Sequence, residues 1–153
     1  YFIRHNHQEV FLDKEGNQRG VPFDVSKQVR DNLIKRMNDI LKARSFDEIF
    51  EIVTESKVKG FGELSIYDTA MRIASNLNIE PDKIYLHAGA RKGMGILEGK
   101  GYVEQGTSKK KYVEIKEMPK PLQNLKAAET EHMLCSMKDK MEQLDQSLGS
   151  IIL

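Results

Sequence analysis

Two glycines flank one apolar residue in Gly60-Phe61-Gly62, between Lys57 and Lys59 on one side and a run with helical spacing, Ile66, Ala70, Ile73 and Leu77, on the other. Glycine admits positive φ and close backbone approach, so such a turn can present successive N–H groups at a helix start, an anion site in outline. The two lysines add charge to it. Arg72, four residues after Asp68, is placed either to contact phosphate or to pair with that aspartate along the helix surface. His87, after the apolar Ile84-Tyr85-Leu86, is the second candidate. An imidazole can act as acid or base near neutral pH, here with Glu63 or Asp68 as its carboxylate, but a histidine so placed is more often a buried, hydrogen-bonded packing residue. Tyr67 and Tyr85 can stack on a base or pack in the core with the hydroxyl at the surface.

The remaining chemical signals are weaker. His5 and His7 could chelate a metal in an extended segment, but no Cys or further His lies near them, so no metal and no cofactor is expected. The glycine-dense stretch Gly89 to Gly106 fails as a phosphate loop: Met94 stands five before Gly99, and Gly101 rather than Ser or Thr follows Lys100. Gly93-x-Gly95 lacks the long strand and later acidic residue of a dinucleotide fingerprint, and the stretch reads as loop and turn. Lys109-Lys110-Lys111 reads as a solvated basic loop.

Val58-Lys59-Gly60-Phe61-Gly62 followed by Thr69-Ala70-x-x-Ile73 resembles the hairpin and second helix of the helix-hairpin-helix base-excision DNA glycosylases, L-P-G-[VI]-G-x-x-T-A-x-x-[IV]; here Glu63 to Asp68 lengthen the spacing. Over Gly60–Ile73 and Ile84–Ala90 the chain is also similar to a group of bacterial proteins carrying G-[FI]-G-x-L-x-[VI]-Y-D-T-A-x-R-I and V-Y-L-H-A-G, which brings no activity with it. The first resemblance implies a helical fold that holds DNA by its backbone through Lys57, Lys59, Gly60, Phe61, Gly62 and Arg72. It also exposes what is missing. His87 falls where the family's catalytic aspartate would stand, and a neutral imidazole cannot supply the negative charge an oxocarbenium-like sugar requires. Glu63 follows Gly62 where bifunctional members place a lysine nucleophile, and one cysteine excludes the iron–sulfur cluster of some relatives.

Composition sets the frame. The chain has 153 residues, enough for one domain with its own core, and 24 Lys+Arg against 23 Asp+Glu, a net charge of +1 that makes any nucleic-acid surface local. A single cysteine excludes an intrachain disulfide framework, and no apolar run is long enough to cross a bilayer. A cytoplasmic protein without membrane contact is expected, its start at Tyr1 marking either a trimmed chain or an incomplete start.

The positioning elements follow from periodicity. Residues 1–25 form an arm or short hairpin, 26–148 a single helical domain and 149–153 a tail. Val29, Leu33, Met37, Ile40 and Leu41 predict a first helix behind Asp24 or Ser26 as N-cap. Ser45-Phe46-Asp47-Glu48 spells a capping box for a second, and a third begins after Ser65 and stops at Asn78-Ile79-Glu80-Pro81. Ile84–Ala88 is a buried strand or single turn. Tyr102–Glu104 and Lys111–Lys116 predict a hairpin with a basic tip, and a Met-rich last helix runs from about Leu122 to Leu148, with Cys135 beside its stripe.

The expected fold is therefore mainly α, a helix-hairpin-helix, DNA glycosylase-like domain with a minor β-hairpin. The expected function is sequence-tolerant DNA binding without glycosylase activity. Two alternatives stand beside it: a scaffold or adaptor that binds a protein partner or itself through residues 125–144, and an enzyme acting on a base or nucleoside through His87.

Overall fold

The computed structural model describes residues 10–143, so His5, His7, the tail at 149–153 and the expected end of the last helix lie outside the described residues. The fold is mainly helical, and the chain divides after Glu80 into two compact units.

The first unit opens with the expected hairpin, β1 (Phe11–Leu12) against β2 (Gln18–Arg19), antiparallel with Phe11 opposite Arg19. The Asp13 carboxylate closes its turn by accepting from the Glu15 and Asn17 amides at 3.1 and 2.7 Å. Four helices follow: α1 (Phe23–Lys35), α2 (Met37–Lys42), α3 (Phe46–Ser56) and α4 (Glu63–Asn76). The first predicted helix is thus two, broken at Arg36. Neither Asp24 nor Ser26 caps it, because α1 starts earlier, behind Pro22, and Ser26 is buried within it.

The box at α3 forms, shifted by one residue: Ser45 Oγ accepts from the Glu48 amide at 3.3 Å, while Glu48 Oε2 accepts from the Arg44 amide at 2.6 Å. One helix-end donor and the amide before the cap are thereby satisfied. Helix α4 begins at Glu63, immediately behind Gly62, and ends in a Schellman motif. Asn78 adopts φ 55°, and the Ile79 amide reaches back to the Ala74 carbonyl at 2.9 Å. The apolar faces meet through Phe46, Ile49 and Val53 of α3, with Val29 and Leu33 of α1 and Ile66, Tyr67 and Ala70 of α4 among the buried residues. Tyr67 meets Phe46 edge-on at 6.0 Å, so it packs in this core and is not held out for a base.

In the second unit, β3 (Lys83–Tyr85) pairs antiparallel with β4 (Tyr112–Glu114), Ile84 opposite Val113. The strand at 84 is as expected; the hairpin from Tyr102 to Lys116 is not formed. Residues 104–110 are instead drawn onto α5 (Ala88–Gly99), because Glu98 accepts from the Gly106 and Ser108 amides at 2.9 and 2.7 Å. Arg91 donates to the Ser108 and Lys110 carbonyls at 3.0 and 2.9 Å. Tyr85 is buried against Tyr112 and is likewise a packing residue.

Helix α5 itself overturns the loop reading of the glycine-dense stretch. A glycine costs a helix interior about 1 kcal/mol relative to alanine, which argues for a loop when only composition is weighed. Packing reverses that here. A Cβ on Gly93 would lie 2.2 Å from the Leu134 carbonyl oxygen and one on Gly89 would lie 2.5 Å from Cys135 Sγ. Bare glycine lets α5 pack directly on the backbone of α6 (Ala127–Ser136). Ala90, Met94 and Leu97 then bury with Leu134 in one core. The long C-terminal helix is also interrupted: a 3₁₀ segment at Lys120–Asn124 precedes α6, and Met137 separates α6 from the short α7 (Lys138–Met141). Leu134 and Met141 belong to the unit's own core, whereas Leu125 and Met137 are exposed.

Candidate functional site

The first candidate is the connection between α3 and α4. Lys57, Lys59, Gly60 and Gly62 are exposed, and Phe61 is buried beneath them. Gly60 has φ 94°, a conformation that disfavours any residue with a side chain, and the Phe61 amide turns inward to donate to the Val58 carbonyl at 3.1 Å. That amide is therefore engaged within the turn and is not available to an external anion, contrary to the reading of all three turn amides as phosphate donors. Arg72 stands nine residues into α4, about 13 Å along the axis from its start at ~1.5 Å per residue, so it cannot serve the phosphate that the turn would hold. Glu63 occupies the first turn of α4 and puts a negative charge directly after Gly62.

Elsewhere in the first unit, Leu33, Ile34, Met37, Ile40, Leu41 and Leu77 line most of an apolar groove of about 270 Å³.

The second candidate lies in the second unit and is built from residues far apart in sequence. His87 is the N-cap of α5, and its Nδ1 accepts from the Gly89 amide at 3.2 Å. An imidazole nitrogen that accepts carries no proton, so the neutral ring holds its proton on Nε2, which is hydrogen-bonded to Glu131 Oε1 of α6. Both side chains are buried, with 4% and 7% of the residue surface exposed. Cys135, one helical turn after Glu131, completes the cluster: one donor atom each from His87, Glu131 and Cys135 lie within 4.8 Å of one another.

The acid that meets His87 is thus Glu131, which the sequence reading did not pair with it. Two signals pointed there: Glu131 and Cys135 are spaced i, i+4 on one helix, and Gly89 and Gly93 carry the same spacing on another. The arrangement fits two uses. In one, the Nε2–H to carboxylate bond simply fastens α5 to α6. In the other, the three donors close on a metal ion. A metal on Nε2 replaces the Nε2–H bond to Glu131 and, by moving the imidazole proton to Nδ1, also ends acceptance from the Gly89 amide, two hydrogen bonds lost at a cost of about 2–3 kcal/mol. That is small beside the roughly 10 kcal/mol or more that zinc–thiolate sites return.

Comparison with protein-family models, curated proteins and solved structures finds no match to this chain.

Proposed function

We propose that the first unit binds duplex DNA along its backbone, without regard to sequence, through Lys57, Lys59 and the Gly60–Gly62 turn, and that the protein has no glycosylase activity. The observation that carries this reading is the exposure of the turn, with both lysines and both glycines open while Phe61 anchors it from below. An exposed strained turn at a helix start, flanked by cations, fits a phosphate chain and gives no base-specific donor. With the Phe61 amide engaged, the lysines carry more of the contact than the backbone does, and Arg72 meets a separate phosphate further along the strand.

Non-catalysis rests on His87: the resemblance to the glycosylases puts it where their catalytic aspartate stands, and at 4% exposure it is closed to a nucleobase. The adaptor reading through residues 125–144 has exposed Leu125 and Met137 in its favour, but Leu134 and Met141 are already used in the unit's own core. The test is affinity for several duplexes of unrelated sequence at low salt, with base release assayed on uracil, oxidised guanine and mismatched substrates. Equal affinities and no release are expected. A preference of a hundredfold for one sequence, or turnover lost in His87→Ala with the fold intact, overturns the reading.

A further inference from the structure

We infer that His87, Glu131 and Cys135 are the protein ligands of a zinc ion in the second unit. The donor set is one imidazole, one carboxylate and one thiol, all within 4.8 Å, and nitrogen and sulfur donors select zinc over magnesium or calcium. Glu131 and Cys135 share one face of α6, and His87 reaches them from the N-cap of α5, so the ligands come from two helices fixed against each other.

The glycines make this convergence possible. With any side chain at 89 the Cys135 sulfur would be displaced, and with any at 93 the two helix backbones could not approach. Charge balance points the same way. A dication meeting one thiolate and one carboxylate is neutral as a group, which lowers the cost of holding such charges away from solvent. On binding, the Cys135 thiol proton leaves to solvent, the imidazole proton moves from Nε2 to Nδ1, and no electrons are transferred. Three protein ligands leave one tetrahedral position for water or another small donor.

The experiment is a Co²⁺ titration of the metal-free full chain, followed by competition with Zn²⁺. Cys135 is the only cysteine, so a near-ultraviolet thiolate-to-cobalt charge-transfer band can arise from no other residue. We expect that band together with visible bands of tetrahedral cobalt, one metal per chain, and full displacement by Zn²⁺. Cys135→Ser should abolish the charge-transfer band, and Glu131→Gln should weaken binding by at least about tenfold, with a thermal melt showing both folded. Three outcomes overturn the proposal: no thiolate band in the wild-type chain, which is decisive however the variants fold; cobalt bound without that band, as at His5 and His7; or half a metal per chain, meaning a thiol bridge between two copies.

Discussion

The Lys57–Gly62 turn and the His87 cluster hold their polar groups in opposite ways. The turn keeps its cations and glycines in solvent, and its shape comes from one positive φ and one internal hydrogen bond over a short stretch of chain. The cluster buries a histidine and a glutamate that are 44 residues apart, and it exists only because α5 and α6 pack closely enough to bring them together. Substitutions in the turn should therefore change binding more than stability. Substitutions around the cluster should change stability first.

The largest effect should come from Gly93→Ala. Its Cβ meets backbone, which cannot move aside as a side chain tip would, so a loss of about 3 kcal/mol is expected in denaturant unfolding. The matching control is Gly95→Ala, two residues on in the same helix, where the nearest atom is a Ser108 carbon at 4.0 Å; it should stabilise by about 0.5–1 kcal/mol. Equal responses would contradict close α5–α6 packing as the reason for the glycines.

Next is Glu131→Ala, which leaves the buried Nε2–H of His87 without its acceptor and should cost about 2 kcal/mol, whereas Glu131→Gln keeps an oxygen there and should cost less than half as much. If the two variants melt together, the hydrogen bond does not fasten the helices. In the turn, Gly60→Ala places a Cβ 3.5 Å from Val25, an ordinary contact, so only the backbone resists it. At φ 94° that resistance is about 1–2 kcal/mol, read in the same unfolding assay.

The smallest effect concerns pH. The amides of Gly106 and then Ser108 hold the Glu98 carboxylate at a pKa of about 2, below its ordinary value of 4.5. A lowered carboxylate pKa stabilises the fold above about 4.5, and that contribution is lost as pH falls through about 2. Melts of the wild type and Glu98→Gln should differ at pH 6 and converge towards pH 2; a constant difference would show that the loop at 104–110 is held by other means.

How much of this was legible in the sequence follows from how local each signal is. Helices α3 and α4 were visible because capping at Ser45 and the stripe Ile66, Ala70, Ile73 are properties of neighbouring residues. The break at Arg36 was invisible, since the apolar stripe runs through it. Helix α5 was misread because a glycine's helix penalty is local, while its compensation, contact with Leu134 and Cys135, lies about 40 residues away. The Tyr102–Lys116 hairpin failed for the same reason: alternation made Lys111–Glu114 a strand, but its partner is β3, chosen by Ile84 and Val113 burying together. Of the candidate sites, the turn was singled out from glycine spacing and from the glycosylase resemblance. At the cluster only His87 was singled out, because the i, i+4 pair of Glu131 and Cys135 carries no mark of the distant helix it faces.

The most direct test of the account is a salt titration of duplex DNA affinity for the wild type and for the pair Lys57→Glu, Lys59→Glu. Each phosphate neutralised contributes about −0.9 to the slope of log affinity against log salt, so two lysines on the backbone predict a slope flatter by roughly 2 in the double variant, with its melt unchanged. Glu63→Gln, which removes the opposing charge, should strengthen wild-type binding at low salt. A wild type that does not bind at low salt, or a double variant that keeps the wild-type slope, would contradict DNA contact through this turn.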